Sequence, residues 1–75
     1  METKIIKALI SEISKYGSPS EIDLNLSFED DLNMNEYKLN ELLEILEEEF
    51  GMELLSFSDN FIKVRDLIGF VEGTA

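Results

Sequence analysis

Between residues 31 and 42, in DLNMNEYKLNEL, oxygen-bearing side chains recur at Asp31, Asn33 and Asn35, which are positions one, three and five of a calcium-binding EF-hand loop. Such a loop also needs a glycine at position six for its sharp turn and a bidentate glutamate at position twelve. Those places hold Glu36 and Leu42, so no specific calcium site is expected. Glu47 and Glu48 form an adjacent carboxylate pair, but acid–base work by two carboxylates requires a desolvated cleft that drives their pKa values apart. Neighbouring glutamates on a solvated helix face have no such cleft. The serines at 18, 20, 27, 56 and 58 lack any histidine that could activate them as nucleophiles. Each is explained as a cap or loop residue. With no cysteine and no histidine, disulfides, thiolate metal sites and the usual neutral-pH acid–base group are missing as well. The sequence reads as a non-enzyme with no metal site.

The elements that would position these residues are helical. In TKIIKALISEISKY, Ile5, Ile6, Leu9, Ile10 and Ile13 make one apolar stripe at helical spacing, leaving Lys4, Lys7 and Glu12 to face water. Gly17 and Pro19 stop this helix, and Ser18 to Glu21 has the form of a capping box with proline at the first helical position. Ile22, Leu24, Leu26 and Phe28 then alternate as in a strand. No second strand-like run exists to pair with them, so the expectation is an extended loop that lays alternate side chains on the core. The clearest helix runs from 36 to 50, with Asn35 as N-cap, Glu36 in the first turn and Gly51 as the terminating glycine. Its Leu39, Leu42, Leu43, Leu46 and Phe50 share about 100° of arc and read as core. Ser56 is a candidate cap for a short helical turn with Phe57 and Phe61 inward. A last helix carries Val64, Leu67, Ile68 and Val71 on one side, with Gly73 beyond its end. The expected fold is all-α, a single domain over residues 1–75, built as a bundle of three main helices and one short one with a long connection between the first two. Met1, Met34 and Met52 are too scattered for a recognition patch and are assigned to packing.

Charge narrows the partners. Seventeen acidic residues against six basic ones give a net charge of −11, which repels nucleic-acid phosphates and anionic membranes. A chain of 75 residues buries about 60% of its unfolded surface, so the core is small. A hydrophobic content of 44% nevertheless argues against disorder. The amino-terminal stretch carries charges through its apolar pattern and has no continuous apolar block, so a cytoplasmic monomer is expected. Asn40, Glu41, Glu44, Glu47 and Glu48 lie opposite the apolar stripe of helix 36–50, together with Tyr37. Apart from Lys38 that helix contains no lysine or arginine, so this acidic face is not salt-bridged in the usual way.

The stretch SFEDDLNMNEYKLNELLEILEEEFG, residues 27–51, resembles the acyl carrier proteins of fatty-acid and polyketide synthesis. In that family a Ser-Phe-x-x-Asp-Leu-Gly segment leads into Asp-Ser-Leu at the start of an acidic second helix, which commonly ends in a Leu-Glu-Glu-Glu-Phe-like run. Ser27, Phe28, Asp31 and Leu32 match the first part, and Leu46, Glu47, Glu48, Glu49 and Phe50 match the last, with no gap between them. The likeness extends more weakly over the rest of the chain, where one residue is missing around the third helix. It implies an up-down bundle around a small apolar space and a phosphopantetheine arm on the serine of Asp-Ser-Leu. Here those three positions are Asn35, Glu36 and Tyr37. Glutamate has no hydroxyl to take the phosphodiester, so Glu36 marks the attachment position without being competent for it, and no cofactor is expected. Lys38 stands where the family usually has an acid, and Asn40 and Glu44 stand where it tends to have small apolar contacts.

Several functions follow from this outline. The leading expectation is a carrier-like interaction or regulatory module that meets a basic protein surface, such as an acyl-transfer or fatty-acid or polyketide enzyme, through Tyr37, Asn40, Glu41, Glu44, Glu47 and Glu48. A carrier with an unusual attachment site is the alternative, with Ser27 nearest in sequence but expected to cap the turn at Asp30 and Asp31. A stand-alone acidic inhibitor of a basic enzyme is a third. Glu36 itself either imitates the charge of a phosphate at a helix N-terminus or is simply a favourable first-turn residue.

Overall fold

The computed structural model describes residues 2–73, which are all-α, with no strand among them beyond one isolated bridge. Met1 lies outside the described residues. Helix α1 spans Glu2–Ser14, α2 spans Glu36–Phe50 and α3 spans Val64–Val71. Two shorter 3-10 segments, Pro19–Glu21 and Leu55–Asn60, punctuate the connections.

Helix α2 follows directly from its own residues. The Asn35 side chain accepts from the Lys38 amide at 2.9 Å, satisfying one of the orphan donors of the first turn. At the other end Gly51 takes a left-handed conformation, φ 65°, and its amide closes on the Glu47 carbonyl. A side chain there would be strained, so glycine suits the stop. Leu42, Leu43 and Leu46 are fully buried, with Leu39 and Phe50 packed at the edge of the same cluster. From α1 the cluster receives Ile6 and Ile10, and from α3 it receives Val64, Leu67 and Ile68. Helix α1 lies against both of the others. Ile5 is a correction to the expected stripe: it sits at the outer edge of α1, 37% exposed.

The connection between α1 and α2 departs most from expectation. Ser18 to Glu21 does form the capping interaction, with the Ser18 amide donating to Glu21 Oε1 at 2.9 Å, but the result is one 3-10 turn. Ile22 and Phe28 then plug the core while Leu24 is 43% exposed, so the alternating side chains do not all turn inward. The segment also has a backbone partner. The Phe28 amide donates to the Ile62 carbonyl at 3.0 Å, Val64 to Leu26 at 3.0 Å and Arg65 to Leu24 at 2.9 Å. Ser27 and Lys63 form the antiparallel bridge between them. The Arg65 guanidinium adds a bond to the Asn25 side chain.

The short helix expected after Gly51 is a 3-10 segment broken at Phe57. Ser56 does not cap it. Its hydroxyl donates to Glu53. Phe61 is buried as expected, whereas Phe57 is 39% exposed and leans on Phe70 with ring centroids 5.0 Å apart.

Candidate functional site

Residues 27–36 fold into a hairpin of turns that delivers the start of α2. Two side chains cap the backbone of this turn: the Ser27 hydroxyl accepts from the Asp30 amide at 3.1 Å, and Asp31 Oδ2 accepts from the Ser27 amide at 2.7 Å. The expected capping role of Ser27 is therefore present. Asn33 takes a left-handed φ of 58°, which asparagine tolerates better than most residues, and Met34 turns into the core. Asp31 and Asn35, two of the calcium-type ligands, are thus turned onto backbone amides rather than toward a common centre.

Of the predicted face, Glu36, Tyr37, Glu41, Glu44 and Glu48 are exposed along α2, and Asn40 is half-buried at its border. Tyr37 is 79% exposed. Single exposed apolar residues are ordinary, but this ring stands among carboxylates on a helix whose only cation is Lys38. The helix backbone holds the face rigid, so its charges and its one aromatic keep a fixed spacing.

Glu47 is different. Its Oε2 accepts from the amides of Leu54 at 2.6 Å and Leu55 at 2.8 Å, so it anchors the Leu55–Asn60 segment to α2. Bonds from the Leu55 and Leu54 amides favour the ionised form and hold its pKa below the ordinary 4.5. A group whose folded-state pKa is depressed stabilises the fold above its unfolded pKa, and that contribution is lost as pH falls through the folded value. In thermal melts at neutral pH, Glu47→Gln is expected to unfold at a lower temperature than the unchanged protein. The gap should close as pH falls below 4.5 and the native carboxylate protonates; a gap independent of pH would remove the charge from this account.

At the N-terminal end of α2 a cleft of about 380 Å³ opens between the 27–34 turns and residues 58–62. Phe28, Met34 and Phe61 form its floor and are themselves 2–3% exposed, so the cleft is sealed from the core beneath. Glu36 stands on its wall together with Glu29, Asp30 and Asp59, with no lysine or arginine among the lining residues. Glu29, Asp59 and Ile62 had no place in the sequence-derived site. Ile62 carried the one available signal, an apolar residue that fits none of the helical stripes, and it is 59% exposed.

No helix among the described residues is long and apolar enough to cross a membrane. No protein-family model matches the chain, and no curated protein matches its sequence.

Proposed function

We propose that this chain is an acyl-carrier-protein-like domain that carries no prosthetic group and works, in the cytoplasm, as an interaction or regulatory module of fatty-acid or polyketide-type metabolism. The observation that carries the reading is the face of α2: Tyr37, 79% exposed, among Glu41, Glu44 and Glu48. Aromatic anchors supply much of the energy of protein interfaces, and uniform surface charge steers a partner of opposite sign. The partner is a protein with a basic surface.

The position that resembles the attachment site supports the absence of an arm. Glu36 opens α2 and faces a cleft walled by carboxylates, which repel a phosphodiester. The sealed floor supports a core filled by its own side chains, with Leu42, Leu43 and Leu46 fully buried. Intact mass tests this directly, measured on protein from its native host and again after incubation with coenzyme A and a broad-specificity phosphopantetheinyl transferase. The expected mass is unmodified in both. A gain of one phosphopantetheine overturns the proposal. Glu36→Ser alone is expected to remain a poor acceptor, because Asn35, Tyr37 and Lys38 also depart from the carrier pattern; efficient loading of that single variant would mean that the carrier recognition surface persists.

A second reading, modification of Ser27, is favoured by one observation: its side chain lines the same cleft as Glu36. Against it, the hydroxyl oxygen already accepts the Asp30 amide. Mapping any added mass to Ser27 would decide for this reading.

A further inference from the structure

We propose that Ser20 is a phosphorylation site whose phosphate is received by Lys4 and Lys7 of α1. The inference is independent of the carrier-like reading above. A notch of about 380 Å³ lies between α1 and the Pro19–Glu21 turn, lined by Lys4, Lys7, Pro19 and Ser20. Among the described residues no carboxylate lines it, although the chain holds seventeen acidic side chains. Neither lysine is ion-paired among those residues. The acids nearest Ser20 along the chain are turned onto backbone: Glu21 Oε1 accepts from the Ser18 amide at 2.9 Å, and Asp23 Oδ1 accepts from the Asn25 amide at 3.1 Å. The Ser20 hydroxyl is exposed and meets that of Ser18 at 3.1 Å, so it caps no backbone group.

Helix α1 sets these cations against its own dipole. Lys4 and Lys7 stand in its first two turns, at the end where the dipole favours negative charge, and its last turn holds no base. They are also three residues apart, a spacing at which like charges repel. An anion in the notch relieves both mismatches. A free anion would have only two solvated ammoniums to hold it, whereas a phosphate on Ser20 is tethered beside them and needs no capture from solution. In the transfer, Ser20 Oγ bonds to the γ-phosphorus of a nucleoside triphosphate held by a kinase. The bond from that phosphorus to its bridging oxygen breaks, the nucleoside diphosphate leaves, and the hydroxyl proton passes to a base of the kinase. The product carries about −1.5 to −2 charges, and its oxygens accept from both ammoniums, tying the turn to α1. Ser18 does not line the notch.

Incorporating phosphoserine at position 20 during synthesis gives the whole chain in its modified form. Its melting temperature should exceed that of the unmodified protein by about 4–8 °C. Followed by ³¹P NMR, the second pKa of the phosphate should lie below its ordinary value of about 6. Lys4→Gln with Lys7→Gln should abolish both effects, and phosphoserine at position 56, beside Glu53, should show neither. An unchanged or lowered melting temperature, a phosphate pKa at or above the ordinary value, or effects that persist in the double variant would each overturn the pairing. In protein from its native host, the tryptic peptide 16–38 should carry the mass of one phosphate, placed on Ser20 by fragmentation. Phosphate on Ser18 or Ser27 instead, or on no serine in growing and in starved cells, would overturn the site. A phosphopantetheine on the same chain would overturn only the reading above, so the two failures are distinguishable.

Discussion

Leu46→Ala is expected to destabilise the protein by about 3 kcal/mol, within the range for emptying a fully buried leucine position. Leu46 is inaccessible to solvent and lies at the centre of α2's inward stripe, in the cluster that also holds Ile6, Ile10 and Leu67. Removing its branched end takes away both transfer energy and packing contacts, and a small core has few neighbours able to collapse into the hole. For a domain of this size the whole stability is on the order of 4–11 kcal/mol. The loss should therefore lower the melting temperature by about 12–24 °C. Ile45→Ala, one position earlier and 37% exposed in the unchanged protein, removes a side chain of the same volume. Its expected cost is under about 1 kcal/mol. Urea unfolding of the two variants side by side measures this contrast, and equal losses would mean that α2 does not face the core as described.

The second large effect concerns association. Glu41→Lys combined with Glu48→Lys changes the net charge from −11 to −11 + 4 = −7 and places two positive charges on the exposed face of α2. If that face steers a basic partner, capture should fall about tenfold or more at low ionic strength. The difference should shrink in high salt, where exposed charges are screened beyond a few ångströms. Tyr37→Ala acts by a different route, through loss of a contact formed after encounter. It should accelerate dissociation at both salt concentrations while leaving the association rate nearly unchanged. Undiminished capture by the double lysine variant at low salt would sink the acidic-face proposal.

How legible these features were depends on how local their causes are. Helix α2 was readable throughout because the cap at Asn35, the leucine stripe and the stop at Gly51 all lie within or beside the helix itself. The cap at Ser27 was readable for the same reason, since its partners are only three and four residues away. The pairing of 24–28 with 62–65 was not, because the second segment is too short to show alternation and runs straight into an apolar helix. Glu47 looked like one more member of the acidic face. Its position one turn from the border of the stripe let it reach the Leu54 and Leu55 amides, a choice set by the fold of the following connection. The cleft was likewise hidden, since residues from 27 to 62 meet there only in three dimensions.

The Ser27–Lys63 bridge has a kinetic consequence. It joins segments separated by the whole of α2, and closing a loop of that length costs about 3 kcal/mol in chain entropy. Helix α2 can form from neighbouring residues before any such closure, but the bridge cannot. Phe28, Val64 and Arg65, whose amides are held by this pairing, should therefore acquire protection from hydrogen exchange late in refolding and lose it as one unit. The walls of the cleft, one drawn from each side of the pairing, would then exist only once the chain has finished folding.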